Sequence, residues 1–238
     1  EAGGTAMFFR AWRHVFKLDP DRDIDDRTLE RVCRSGTDAV LVGGSSGVTY
    51  DKTVGLLARL RRHEVPCALE ITDPSLAVPG FDGYFIPMVL NAGHRDWWIG
   101  RHADALRRFG RLVPWDITAG EAYIVLNGDS AVARVTGADT GLDADGVAAY
   151  CQLADRLWRV PVVYLEYSGV FGDMELVRRV RGMLSQARLF YGGGVRSAQQ
   201  AREAAQAADT VVVGNALYDD PDAALATVEA VKGAKPPV

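Results

Sequence analysis

Cysteine, histidine and lysine are all scarce in this chain. Its 238 residues include three cysteines, Cys33, Cys67 and Cys151, an odd number without metal-ligand spacing and set in apolar or helix-like contexts. That leaves no disulfide framework and no cysteine-based zinc site, so free thiols in a reducing compartment are expected. The four histidines are scattered, and no Ser-His-Asp arrangement can be built from them. No apolar run is long enough to span a bilayer and no secretory leader is visible, so a cytoplasmic protein is expected, compatible with peripheral membrane contact. The formal charge of −4 gives no basis for a nucleic-acid partner.

Only Lys17, Lys52, Lys232 and Lys235 are lysines among 27 basic residues, a usage typical of GC-rich genomes. Where arginine is the default cation, Lys17 stands out inside an apolar stretch, because its compact ammonium differs chemically from a guanidinium. Chance and a surface position are the plain alternative.

What is present is an alternation. Short apolar runs at His14–Lys17, Ala39–Val42, Cys67–Ile71, Gly83–Pro87, Ala122–Leu126, Val162–Glu166, Leu189–Tyr191 and Thr210–Val213 read as strands. Helical patterns fall between most of them, at Asp26–Ser35, Thr49–His63, Trp97–Phe109, Ala144–Trp158, Met174–Ser185, Ser197–Ala207 and Pro221–Val231. Eight strands predict a TIM-type (βα)8 barrel, with a doubly wound open sheet as the alternative. "DPSLAVPGFDG" (73–83) carries prolines and glycines where the third helix belongs, so a loop is expected there. One domain over 8–233 follows, with 1–7 and 234–238 as flexible termini.

In such a barrel the chemistry lies at the carboxyl ends of the strands. The residues there are Lys17 and Asp19 after the first run, Gly43-Gly44-Ser45 after the second, and Glu166 through Gly169 after the sixth. Gly192-Gly193-Gly194 and Gly214-Asn215 follow the seventh and eighth. Glycines leading into helices expose backbone N–H groups and suit a phosphate, although tight βα turns alone would also use them. Asp19 and Ser45 are hard oxygen ligands compatible with magnesium, while Asp19-Pro20 on spacing alone reads first as a turn. Glu166 ends "VPVVYLE" at the barrel mouth, where it can accept a hydroxyl proton or, alternatively, pair with Lys17.

"WRHVFKLDP", "SGTDAVLVGGSSGVT", "VPGFDGYFIPMVLN", "YLEYSGVFGD", "FYGGGVRS" and "VVVGNALY" together resemble the geranylgeranylglyceryl phosphate synthase family, nearest its heptaprenylglyceryl branch. The resemblance implies a magnesium-dependent barrel that joins a prenyl diphosphate to the hydroxyl of a three-carbon phosphate; a homodimer is also expected. It implies that Lys17 contacts the acceptor phosphate ester and that Asp19 and Ser45 hold magnesium. Tyr164 through Gly169, with Glu166 and Ser168, would then line the acceptor site, and Gly194, Gly214 and Asn215 would bind its phosphate. Ala105 stands where archaeal relatives carry a chain-limiting tryptophan, so the prenyl groove is expected to be open.

Departures occur at Gly128 and Ala131 in "NGDSAVAR", where the branch carries proline and lysine, and a diphosphate contact is lost or moved to Arg134. Met88 and Ala92 replace serines flanking "VLN". Together with the GC-rich usage, these tip the expectation toward a moenomycin-type relative that transfers farnesyl to 3-phosphoglycerate. Heptaprenylglyceryl phosphate synthesis on sn-glycerol 1-phosphate is the alternative. A phosphosugar isomerase or aldolase barrel and a catalytically silent phosphate sensor stand further off.

Overall fold

The computed structural model describes residues 7–44 and 46–237. Eight parallel strands, β1 (His14–Leu18), β2 (Ala39–Val42), β3 (Cys67–Glu70), β4 (Gly83–Val89), β5 (Thr118–Val125), β6 (Val162–Glu166), β7 (Arg188–Gly192) and β8 (Thr210–Val213), pair in chain order. β8 then returns to β1, with Val15 opposite Val212, and the barrel is closed as the alternation predicts. Around it lie α1 (Asp26–Arg34), α2 (Tyr50–Leu60), α3 (Gly100–Phe109), α4 (Ala131–Thr136), α5 (Ala144–Gln152), α6 (Met174–Met183), α7 (Ala198–Ala205), α8 (Ala216–Asp219) and α9 (Pro221–Lys232). Between β3 and β4 there is a loop with one 3-10 turn at Pro74–Leu76, in place of the third barrel helix.

Several boundaries differ from the sequence reading. β5 begins at Thr118 instead of Ala122, because barrel pairing with β4 carries Gly120 and Glu121 into the ladder despite their poor strand propensity. α4 and α8 are short, and α4 starts at an Ser130 N-cap whose hydroxyl accepts from Ala133 N–H. The helix expected to run to Trp158 is α-helical only to Gln152 and continues as a π-type turn over Leu153–Leu157.

Strand alternation divides the core in two. Val15, Leu41, Phe85, Tyr123, Tyr164 and Phe190 pack together inside the barrel. Their neighbours Phe16, Leu18, Val40, Ile124 and Leu189 pack outward against the helices. Phe9 and Trp12, just ahead of β1, join the inner cluster; Phe9 lies 5.4 Å from the Phe85 ring and 6.0 Å from that of Phe190. This aromatic plug closes the amino-terminal end, so the opposite end is the open one. At the other terminus Ala234 is packed into the outer core, while residues 1–6 and 238 lie outside the described residues.

His14 is fully buried between β1 and α9, its ring nitrogens each 2.9 Å from the hydroxyls of Thr37 and Thr227. Burial pushes its pKa down to about 3, so it is a neutral structural residue. Cys67 and Cys151 are buried and Cys33 half-buried, all as free thiols. No helix among the described residues is long and apolar enough to cross a membrane.

Candidate active site

One continuous cavity of about 1320 Å³ opens at the carboxyl ends of the strands. Lys17, Asp19, Tyr164, Glu166, Ser168 and Gly169 line one end of it. Gly194, Gly214 and Asn215 line it too, and Ala105 faces it from α3. The sequence-predicted residues therefore converge, except Ser45, which lies outside the described residues.

Lys17 has a partner that sequence reading missed. Its Nζ donates to Glu70 at 2.6 and 3.0 Å and to the Tyr123 hydroxyl at 3.2 Å, while that hydroxyl lies 2.9 and 3.0 Å from the Glu70 oxygens. The expected alternative, a Lys17–Glu166 ion pair, is not formed; the ammonium turns to the end of β3 instead. Tyr123 stacks on Tyr164 with ring centroids 4.3 Å apart, and the ammonium stands 5.7 and 5.8 Å from the two rings. Burial works to lower the Lys17 pKa, but the charges of Glu70 and Glu166 outweigh it and the shift is upward. Lys17 is thus a permanent cation at the mouth. Beneath it Glu121, on β5, is fully buried, and neither carboxyl oxygen finds a hydrogen-bond partner among the described residues. Burial, with the Glu70 charge adding to it, holds that carboxyl protonated well above the ordinary carboxylate range.

Glu166 is fixed by the chain that follows it. Ser168 N–H donates to its Oε1 at 2.7 Å, and Asn127 Nδ2 holds the Ser168 carbonyl at 2.6 Å. Burial raises the carboxyl pKa to about 7, opposed by the Lys17 ammonium and assisted by Glu70. A carboxyl balanced there suits proton transfer near neutrality.

The glycine cradle is tied to the loop after β6. The Tyr191 hydroxyl donates to the Gly193 carbonyl at 2.8 Å and accepts from Gly172 N–H at 2.8 Å, and Tyr167 N–H donates to the Gly192 carbonyl at 2.7 Å. Gly194 has φ of +58°, and a Cβ there would run into the backbone of Val170 and Phe171. Glycine is required at 194 for both reasons. Gly214 is different: an added Cβ would meet only ordinary contacts with Lys17, at 3.6 and 3.7 Å. Arg22, on the loop after β1, stacks over Tyr218 at 3.8 Å and donates to Asn215 Oδ1 at 3.0 Å. A guanidinium only donates, so it must face the amide oxygen, leaving Asn215 Nδ2 as a donor for a ligand.

Asp19 is half-buried, and its Oδ1 accepts from Asp21 N–H at 2.9 Å, an Asx turn in which Oδ2 has no hydrogen-bond partner among the described residues. Burial raises its pKa. A Cβ at Gly44 would fill the space beside this carboxylate, so the glycine keeps it accessible. Among the described residues there is no group of three or more His, Cys, Asp or Glu side chains that could enclose a metal. One accessible carboxylate beside these glycine-rich strand ends nevertheless fits magnesium, which takes one or two protein carboxylates and fills its octahedron with water and phosphate oxygens.

From this polar end the cavity runs outward beneath α3, past Met88, Ala105, Phe109, Leu112, Ile117 and Val132. No bulky side chain stands at 105. Ala131 also lines it, whereas Arg134 is exposed with its guanidinium on the Asp129 carbonyl, so it does not replace the missing lysine. The volume exceeds the roughly 300–1,000 Å³ of ordinary small-molecule pockets.

A small phosphosugar needs no apolar trench leading off the barrel mouth, whereas a prenyl chain does, and the enzyme class this cavity serves is prenyl transfer. Over residues 7–232 the sequence matches the family described as PcrB, and the chain belongs to that family. It is 56% identical over 223 residues to the heptaprenylglyceryl phosphate synthase of Geobacillus thermodenitrificans, covering 94% of this chain and 93% of that one. It is 53% identical over 225 residues to the enzyme of the same name from Brevibacillus brevis, covering 94% and 97%. In fold it is similar to a crystal structure of (S)-3-O-geranylgeranylglyceryl phosphate synthase from Thermoplasma acidophilum in complex with sn-glycerol-1-phosphate. That match has a TM-score of 0.83 at 24% identity and covers 95% of each chain. The expected moenomycin-type relative finds no support in these comparisons.

Proposed function

We propose that the protein forms heptaprenylglyceryl phosphate, joining a heptaprenyl diphosphate to a hydroxyl of sn-glycerol 1-phosphate. The observation that carries this is the continuous cavity uniting the Lys17–Glu166 mouth with the long groove past Ala105. The 56% identity to a heptaprenylglyceryl phosphate synthase supports it, and favours this product over the farnesyl and 3-phosphoglycerate pair expected from residue usage. An aldolase chemistry is disfavoured, because a Schiff-base lysine needs a lowered pKa and Lys17 is driven the other way.

In this reading the acceptor phosphate is held by Lys17, by Asn215 Nδ2 and by backbone N–H groups around Gly194 and Gly214, with Tyr164, Ser168 and Gly169 walling its glycerol part. Glu166 faces the hydroxyl, orients it, and takes its proton as the ether C–O bond forms and the allylic C–O bond to diphosphate breaks. Magnesium held by Asp19, with Ser45 as the second ligand implied by the family resemblance, would neutralise charge on the departing diphosphate. The apolar walls keep the prenyl chain, and the allylic centre next to it, out of water. The homodimer expected from the sequence belongs to the same reading.

The test is product mass spectrometry after incubation with heptaprenyl, geranylgeranyl or farnesyl diphosphate against sn-glycerol 1-phosphate or 3-phosphoglycerate, with and without a chelator. Heptaprenylglyceryl phosphate should dominate and vanish with the chelator. A dominant farnesyl-3-phosphoglycerate product would restore the earlier expectation.

A further inference from the structure

α3 is an unusual barrel helix, because none of its ten residues is buried. It bridges over the groove, presenting Ala105 and Phe109 to the cavity. Beyond its end the groove emerges among apolar side chains that are also open to solvent: Leu112 is 79% exposed, Trp115 57%, Phe109 47% and Leu106 42%. Ile99 at the start of the same segment is 48% exposed. A cluster of this kind on a soluble protein marks an interaction surface, more so when it is continuous with a lipid-sized cavity.

The charges beside it are biased. Arg95, Arg101, Arg107, Arg108 and Arg111 are exposed along residues 95–116, against Asp96, Asp104 and Asp116, in a chain whose total charge is −4. The segment is therefore locally basic on a protein that is acidic as a whole. Apolar side chains flanked by arginines are the composition of a helix lying in the plane of an anionic lipid surface.

We propose that α3 and the following segment to Trp115 dock on an anionic phospholipid membrane, with Leu112 and Trp115 inserted among the acyl chains and the arginines on the headgroups. The long donor would enter the groove directly from the bilayer. This rests on the long-chain donor reading above, since a short prenyl diphosphate needs no membrane. The occupant is a lipid surface by charge complementarity and by continuity with the groove.

The experiment is co-sedimentation with vesicles of phosphatidylcholine alone and of phosphatidylcholine with phosphatidylglycerol, without any substrate, so its outcome is independent of the catalytic assignment. The protein should bind the anionic vesicles at least about tenfold better, and added salt should reduce binding. Arg107→Glu with Arg108→Glu should abolish that preference, and so should Leu112→Asp. The double arginine variant, outside the cavity lining, should keep its melting temperature and its activity on micelle-soluble geranylgeranyl diphosphate. It should lose activity on heptaprenyl diphosphate presented in anionic vesicles. Equal sedimentation of parent and variants with both vesicle types would overturn the proposal. So would conversion of a dimer to monomers by these substitutions, which would make the face a contact between copies.

Discussion

Lys17 Nζ lies 2.6 Å from Glu70 Oε2, a pairing between the ends of β1 and β3 that leaves the Glu166 carboxyl without a salt-bridge partner among the described residues. This arrangement separates two duties. Glu70 holds the ammonium and helps keep it charged, while Glu166 accepts from Ser168 N–H, has its pKa raised to about 7, and in the proposed reaction would serve the acceptor hydroxyl.

Glu70→Ala should therefore do two things. Stripping the partner from a largely buried ammonium should cost about 3–5 kcal/mol of stability, read from denaturant midpoints. The freed Lys17 charge should also act more strongly on Glu166 and draw its pKa down, moving the acid limb of kcat/KM to lower pH. An unchanged midpoint of that limb would mean that Glu70 has no electrostatic hold on the base.

If Glu166 takes the hydroxyl proton it must be ionised, so kcat/KM, which reports the free enzyme, should rise with pH through a limb centred at about 7. Glu166→Gln should lower kcat about 10²–10⁴-fold and flatten the limb, with acceptor affinity largely retained. A variant with near-parent kcat would remove Glu166 from the proton-transfer step.

Glu121 gives a pH signature in stability. Its folded-state pKa is raised above its ordinary 4.5, chiefly by burial, so the folded protein keeps a proton that the unfolded chain releases. Its contribution to stability is whole below pH 4.5 and erodes as pH climbs above it. Glu121→Gln, similar in shape and never charged, should leave the melting temperature unchanged at pH 4 and raise it at pH 8. A loss at pH 8 would show that the ionised carboxylate is needed.

The two cradle glycines should respond differently. Gly194→Val meets the backbone of Val170 and Phe171 at positive φ and should cost folding itself. Gly214→Val has room for its Cβ, so it should fold and lose acceptor affinity by covering the N–H groups. Calorimetry on folded Gly214→Val showing parent affinity would remove that glycine from the cradle.

The barrel was legible because each strand is a short apolar run bounded by turn residues, a local pattern that survives into three dimensions. Glu70, Tyr123 and Glu121 were not read as site residues. Glu70 ends "CALE" much as Glu166 ends "VVYLE", so a carboxylate closing an apolar run was a usable signal. That it meets Lys17 depends on a barrel register 53 residues apart. Glu121 was lost when "TAGE" was left out of β5, since Gly120 and Glu121 are weak strand formers held there by pairing with β4. That Ala105 leaves the groove open was legible through family resemblance, because nothing local says that α3 stands off the barrel.

The most direct test of the account is a donor competition on the parent and on Ala105→Trp, with heptaprenyl and geranylgeranyl diphosphates mixed over sn-glycerol 1-phosphate and products weighed by mass spectrometry. The parent should favour the heptaprenyl product. The variant, with an indole placed in the groove beneath α3, should turn to the shorter donor by about tenfold or more, consistent with the 1–3 kcal/mol cost of overpacking, at unchanged acceptor KM. A chain-length profile identical in the two proteins would contradict the claim that this groove holds the prenyl chain.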